Sequence, residues 1–85
     1  MKDMEAIKRI ARMESLFDAL QKAAKEDPAA VAESPGLREL TAYYESGAWL
    51  RDYELDEQGL LPRELKRGVL SQDGLFDFLE EISAK

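Results

Sequence analysis

The stretch DYELDEQGLLPRE, residues 52–64, carries acidic side chains at alternate positions, followed by a glycine and a further glutamate. Carboxylates in this order suggest a calcium loop, which needs oxygen ligands at its first, third and fifth positions, glycine at the sixth and a bidentate glutamate at the twelfth. A loop that begins at Asp52 places Arg63 at the twelfth position, and one that begins at Glu54 places Leu65 there. Neither register supplies the glutamate, so we do not expect a calcium loop.

The same carboxylates have a structural interpretation if the stretch is helical. Asp52 and Asp56 are four positions apart and would then lie on one side of the helix. A turn over 59–62 would bring Lys66 and Arg67 back toward them as counter-charges. We therefore interpret the aspartates as part of an ion-pair and capping network that fixes the angle between two helices. The alternative is a site for a divalent cation or a small polar substrate, built from Asp52, Glu54, Asp56 and Glu57.

Two residue types that carry much enzyme chemistry are missing from the sequence. There is no cysteine, which excludes disulfides, thiolate zinc sites and thiol nucleophiles. There is no histidine either, which removes the usual general base near neutral pH and the commonest nitrogen ligand of transition metals. The sequence also lacks a phosphate-binding glycine loop and a nucleophile elbow. We therefore predict no catalytic residue, no metal site and no cofactor, and expect a protein that is not an enzyme.

The charge of the chain argues against nucleic acid as a partner. Its 18 acidic and 12 basic residues give a net charge of −6, which repels phosphate groups unless the basic residues gather on one face. Such a face would need Arg63, Lys66 and Arg67, which have acidic neighbours. No apolar run approaches the ~20 residues that span a bilayer, and the first residues lack the apolar region of a signal peptide. We expect a cytoplasmic protein that binds neither nucleic acid nor membrane.

The elements that must position these residues begin with one long helix. A chain of 85 residues has room for a single domain with one modest core, which we assign to residues 1–85. In residues 1–26 apolar side chains recur every three or four positions and predict a long amphipathic helix. A seam with this heptad-like spacing can pack inside the monomer or pair with a second copy. We favour internal packing, because the stripe is short and the chain has few other elements with which to build a core. The members of this apolar seam are Ala6, Ile10, Met13, Phe17, Leu20 and Ala24.

A linker at residues 27–36 separates this helix from the motif-bearing region, residues 37–85. The linker holds two of the three prolines, and a proline at its start favours one helical turn over 28–32. Ser34 then serves as the N-cap of a second helix, with a proline at the first helical position. The inner face of that helix is predicted to consist of Leu37, Leu40 and Tyr44.

Two further helices complete the predicted architecture. The third carries Trp49 and Tyr53 and ends before Gly59, where a left-handed residue is expected. A short helical turn is expected at RELK, residues 63–66. Ser71 is the predicted N-cap of the last helix, and Asp73 is expected near its N-terminus, where the positive end of the helix dipole stabilises a negative charge. The inner face of this helix is predicted to be Leu75, Phe76, Leu79 and Ile82. The sequence thus predicts an all-α fold, a small bundle of about four helices with the long N-terminal helix packed on three shorter ones.

The adjacent aromatic residues Tyr43 and Tyr44 point about 100° apart on a helix, so at most one of them can lie squarely in the core. We assign Tyr44 to the core and Tyr43 to the surface. Exposed tyrosine is enriched at protein interfaces, although half-buried tyrosine is also common on ordinary surfaces. Tyr43 is therefore a candidate for contact with a partner, and a plain surface position is the alternative.

The C-terminal half contains three motifs in order: YY-x-S, W-x-x-D-Y-x-x-D-E-x-G and LP-x-x-L-K-x-G-V-L-S-x-D. Through them the segment Tyr43 to Glu81 resembles a family of small bacterial proteins, domain of unknown function 4298. The resemblance implies a small intracellular helical protein and implies no activity. It groups the motif residues as one unit, whether that unit is a scaffold or a site.

Two functions from different classes are compatible with the sequence. The leading hypothesis is a non-enzymatic module that binds another protein or itself, in the latter case as a homodimer through the N-terminal helix. The alternative is the carboxylate site described above. Candidate partner-binding residues are Tyr43, Tyr44, Trp49, Asp52, Tyr53 and Asp56. Candidate ion-pair and capping residues are Asp52, Asp56, Lys66, Arg67, Ser71 and Asp73.

Overall fold

A computed structural model of the protein describes residues 4–83. They form α1 (Met4–Glu26), α2 (Pro28–Ala32), α3 (Pro35–Glu45), α4 (Ala48–Glu57), a 3₁₀ turn (Gly68–Leu70) and α5 (Gln72–Ser83), and no strand occurs among them. Four of the helices have ten or more residues, which confirms the predicted all-α bundle with a long N-terminal helix. Within the described range, no helix combines the length and the apolar character needed to cross a membrane.

The apolar seam of α1 lies in the core of its own chain. Ala24 is half-buried. The other five members of the seam are buried: Ala6, Ile10, Met13, Phe17 and Leu20. The helix packs against α2, α3 and the 3₁₀ turn, and Phe17 meets Phe78 of α5 edge to face, with ring centroids 5.4 Å apart. The seam therefore serves packing inside the monomer, the arrangement that we favoured for so short a stripe.

Side-chain caps start the two helices that follow α1. Asp27 accepts a hydrogen bond from the backbone N–H of Ala30 at 3.1 Å, and Ser34 accepts one from that of Leu37 at 3.2 Å. A proline follows each cap and fits the first helical turn, where its missing N–H has no partner to lose. The helical turn predicted within the linker is confirmed as α2, and its Val31 is buried in the core. Residues 27–36 are thus part of the packed structure.

The buried tyrosine of α3 is Tyr43, and the assignment of Tyr44 to the core was wrong. Tyr43 is only 6% exposed, whereas Tyr44 is half-buried. Tyr43 follows the buried Leu37 and Leu40 at three-residue spacing, so it continues their face of the helix. A step of four residues from Leu40 leads to the neighbouring face, and in a helix this short the apolar pattern does not distinguish the two steps.

The last helix differs from expectation in the same way. Phe78, one turn after Leu75, is the aromatic ring that α5 buries. Phe76 was predicted to face inward, but it adjoins Leu75 and is therefore rotated about 100° from the core. It is 47% exposed. Leu75 and Ile82 are buried as predicted, and Leu79 is half-buried.

The connection from α4 to the 3₁₀ turn is irregular. Gly59 follows the end of α4 with φ 71°, the left-handed conformation predicted for it. The helical turn predicted over 63–66 is absent. A hydrogen bond of 3.3 Å from the N–H of Leu65 to the carbonyl of Pro62 closes a single turn there instead. Helical backbone resumes only in the 3₁₀ turn, whose two apolar side chains are buried.

Candidate functional site

A buried carboxylate connects three helices. Asp52 of α4 is fully buried. Arg9 of α1 approaches it with a forked guanidinium, donating from Nε to Oδ2 at 2.9 Å and from Nη2 to Oδ1 at 2.5 Å. Tyr43 of α3 donates its hydroxyl to the same Oδ2 at 2.7 Å. We call Arg9, Tyr43 and Asp52 the aspartate network.

The aspartate network satisfies the requirements of a buried charge. Both oxygens of Asp52 accept hydrogen bonds, and the two from Arg9 are charge-assisted. Burial raises the pKa of Tyr43 well above that of an ordinary tyrosine, and the hydrogen bond to Asp52 and the charge of that carboxylate act in the same direction; Arg9 acts in the opposite direction. Tyr43 is therefore a neutral donor throughout the physiological pH range. Among the described residues, every buried side-chain nitrogen and oxygen atom has a hydrogen-bond partner.

The second predicted aspartate pairs with one of its two predicted partners. Arg67 donates from Nη1 to Oδ1 of Asp56 at 2.7 Å, and about a third of each side chain is exposed. Lys66 is exposed and forms no ion pair within the described range. The prediction that these cations also neutralise Asp52 was wrong, because α4 directs Asp52 toward α1 and leaves only Asp56 beside the returning chain.

Two side chains hold the 3₁₀ turn against α1 and α4. Trp49 donates from Nε1 to the carbonyl of Val69 at 2.9 Å, and Glu14 accepts a hydrogen bond from the N–H of Val69 at 2.7 Å. Gly68 leaves room for the glutamate, since a Cβ atom at this position would lie 3.1 Å from its Oε2. The backbone N–H and carbonyl of Val69 are thus both used by side chains that lie far away in the sequence.

The capping role of Ser71 is confirmed. Its Oγ accepts a hydrogen bond from the N–H of Gly74 at 3.3 Å, and its carbonyl accepts one from Leu75 at 3.2 Å. Asp73 lies in the first turn of α5, as predicted, where the helix dipole favours a negative charge. Ser71 and Asp73 are therefore structural residues that begin the last helix.

Four aromatic rings form a continuous row across α5, α3 and α4. Phe76 and Tyr44 have ring centroids 6.4 Å apart, Tyr44 and Trp49 5.2 Å, and Trp49 and Tyr53 5.2 Å with nearly parallel planes. We call these residues the aromatic row. Trp49 is buried, Tyr44 and Tyr53 are half-buried, and Phe76 is the most exposed member. A hydrogen bond to Glu57 raises the pKa of the Tyr53 hydroxyl, at the end of the row opposite Phe76.

The six candidate partner-binding residues thus divide into two groups. Tyr43, Trp49 and Asp52 are buried and belong to the interior. Tyr44, Tyr53 and Asp56 are half-buried and reach the surface. Only the second group can meet a partner without a change in the fold.

A groove lies beside the exposed end of the aromatic row, between α3 and α5. Its volume is about 290 Å³, and its apolar floor is formed by Tyr44, Phe76 and Leu79. Glu45 and Glu80 stand at its edges and are exposed. Thr41 completes the lining. We call this feature the α3–α5 groove.

A larger and more polar cleft, of about 500 Å³, lies over the outer side of the aspartate network. Its lining includes Arg9, Arg51 and Glu54. Asp52 borders it, but this carboxylate is fully buried and already accepts three hydrogen bonds. The cleft therefore presents no exposed carboxylate pair from the predicted site.

The helical conformation of residues 48–57 excludes a calcium loop over this acidic stretch, since such a loop winds its ligands around the ion. Asp52 and Asp56 each accept hydrogen bonds from an arginine. In the part of the chain that the structure describes, no three acidic side chains come together in a group that could hold a metal ion.

Sequence reasoning missed Arg9, Glu14 and the exposure of Phe76. Arg9 and Glu14 adjoin the seam residues Ile10 and Met13 on α1, and both are half-buried. A charged residue at the margin of a long apolar seam is the signal that could have identified them as partners for buried polar groups.

Comparison with protein-family models matches residues 1–84 to Domain of unknown function (DUF4298). The match extends the C-terminal resemblance over α1 and the linker. No curated protein and no solved structure matches the chain.

Proposed function

The chain belongs to this family of unknown function, and from that premise we propose that it is a non-enzymatic helical module that binds another protein, in the cytoplasm of a bacterial cell. The observation that carries the proposal is the aromatic row, in which the buried Trp49 anchors the rings in the core and Phe76 presents one to solvent. Aromatic side chains held in place by packing bind partners at low entropic cost, and they are enriched among residues that dominate binding energy.

The other surfaces offered by the sequence support partner binding less well. The seam of α1 is buried within the monomer, so a homodimer through that seam would have to displace the core. The carboxylate alternative has little support, because Arg9 and Tyr43 already hold Asp52, and Arg67 holds Asp56. The half-buried members of the aromatic row and Phe76 are what a partner can reach.

Site-specific photo-crosslinking in the cells that make the protein tests this proposal. A photoreactive phenylalanine analogue is placed at Phe76, and in a matched control at Leu50 of α4, which is 51% exposed and lies outside the aromatic row. We expect a discrete adduct with one protein from position 76 and none from position 50. No adduct at position 76, or the same adducts from both positions, would contradict the proposal.

A further inference from the structure

We propose that the α3–α5 groove binds a basic amphipathic helix of the partner protein. This inference rests on the proposed function and specifies the chemistry of the partner. Its basis is the combination of an apolar floor, helical spacing on both sides and an acidic edge.

The lining residues repeat at helical spacing on both walls. Thr41, Tyr44 and Glu45 of α3 have the same spacing as Phe76, Leu79 and Glu80 of α5, with steps of three and then one. Each wall is therefore one face of a helix, and two such faces side by side form the kind of groove in which a third helix packs. The volume of about 290 Å³ is at the lower limit for small-molecule pockets, ~300–1,000 Å³, and it suits a few inserted side chains better than an enclosed ligand.

The acidic side chains around the groove favour a partner with positive charge. Glu45 and Glu80 are exposed at its edges, and its lining contains no basic residue. The whole of α5 carries four acidic residues and no lysine or arginine. Arg38, the one basic residue of α3, lies a turn before Thr41 and does not line the groove. Lysine or arginine flanking the apolar anchors of a partner helix would complement this edge.

A second copy of the chain is a poorer occupant. The protein has a net charge of −6, so two copies repel each other. If the groove met the same groove of a second molecule, acidic edges would face acidic edges at close range. Like charges brought together across an interface oppose association.

Binding of a designed probe tests the inference. The probe is a fluorescently labelled amphipathic helical peptide of about 18 residues, long enough to form helix, with leucine on one face and lysine on the flanks. Its twin has glutamate in place of lysine. Fluorescence anisotropy should show binding of the lysine peptide that weakens with added salt, and binding of the glutamate twin weaker by about tenfold or more.

Variants locate the binding site. Phe76→Ser should weaken binding of the lysine peptide about tenfold, whereas Leu50→Ser, at a similarly exposed position, should leave it unchanged.

Glu45→Gln/Glu80→Gln should weaken binding of the lysine peptide by roughly three- to tenfold and reduce its salt dependence. The matched control Glu54→Gln/Glu64→Gln removes two exposed charges elsewhere and should have little effect. All four glutamates are exposed, so these variants are expected to fold.

Three outcomes would overturn the inference. The protein could bind the lysine and glutamate peptides with equal affinity, or the two glutamine double variants could bind the lysine peptide equally well. The third outcome is self-association of the protein in sedimentation that Phe76→Ser abolishes. The last result would assign the groove to a second copy. The crosslinking experiment separates this failure from failure of the proposed function. An adduct at position 76 without binding of the lysine peptide means that a partner exists and has another chemistry.

Discussion

The hydroxyl of Tyr43 donates a hydrogen bond of 2.7 Å to Oδ2 of Asp52, and the two side chains thereby join α3 to α4 inside the core. Arg9 completes the contact from α1 with a forked pair of hydrogen bonds to the same carboxylate. A charge in this position is stable only while its partners remain, because transfer of an unpaired charge from water into the interior is strongly unfavourable. The network is therefore more important for the relative placement of the helices than for net stability.

Replacing one member of the aspartate network should lower the free energy of unfolding much more than replacing all three. Asp52→Leu removes the carboxylate that accepts hydrogen bonds from both Arg9 and Tyr43, and we expect the free energy of unfolding to fall by about 3 kcal/mol. The triple variant Arg9→Met/Tyr43→Phe/Asp52→Leu should recover most of that loss. Urea unfolding followed by fluorescence of Trp49, the single tryptophan, measures both. A triple variant no more stable than Asp52→Leu would show that shape, not charge pairing, determines stability here.

Tyr43 should make the protein sensitive to alkaline pH. Its pKa is raised in the folded state, chiefly by burial, while an unfolded tyrosine ionises near pH ~10. Below pH ~10 the contribution of Tyr43 to stability is fully present, since its hydroxyl keeps the proton in both the folded and the unfolded state. Above pH ~10 the unfolded chain loses this proton first, so ionisation of Tyr43 lowers the free energy of unfolding by up to ~1.4 kcal/mol per pH unit.

The comparison that isolates this effect is wild type against Tyr43→Phe. Both retain Tyr44 and Tyr53, so the difference between their stability curves above pH ~10 belongs to Tyr43. Urea unfolding at several pH values should show a steeper alkaline decline in the wild type. Parallel curves for the two proteins would mean that the Tyr43 hydroxyl ionises in the folded state as readily as in the unfolded state.

Glu14 should stabilise the protein through the 3₁₀ turn. Glu14→Ala leaves the N–H of Val69 without its acceptor, which we expect to cost about 1–3 kcal/mol. Glu14→Gln keeps a carbonyl acceptor and should cost less. Asp18→Ala is the matched control one turn later on α1, where an exposed pair with Lys22 is worth ~0.5 kcal/mol or less. Equal losses for the two alanine variants would contradict the assigned role of Glu14.

What the sequence predicted correctly depends on local or repeated patterns. The long seam of α1 has enough repeats to define one face, and the caps Ser34 and Ser71 act on backbone groups three residues away. The Asp56 and Arg67 pair was also predictable, because a single connection of the chain brings them together.

What the sequence did not reveal depends on how helices face one another. Arg9 and Asp52 are 43 positions apart, and periodicity gives the buried face of a helix without naming the helix that covers it. In the shorter helices α3 and α5 a shift of one or two residues decides the face, so Tyr43 was exchanged with the adjacent Tyr44, and Phe78 with Phe76 two positions earlier. The α3–α5 groove follows from those two corrections, since Tyr44 and Phe76 form its floor.

The acidic stretch that suggested an ion site should not respond to divalent cations. Asp52 is occupied by Arg9 and Tyr43, and Asp56 by Arg67, so an ion would have to displace an arginine to gain either ligand. We expect millimolar calcium, magnesium or manganese to leave the melting temperature of the wild type unchanged in circular dichroism. An ion present at a hundred times its Kd would stabilise the folded state by about 2.7 kcal/mol, which is a shift of roughly 10 °C or more in a domain of this size. Asp56→Asn is the control. If an ion raised the melting temperature of the wild type but not that of Asp56→Asn, it would bind at these carboxylates, and the carboxylate alternative would be favoured over protein binding.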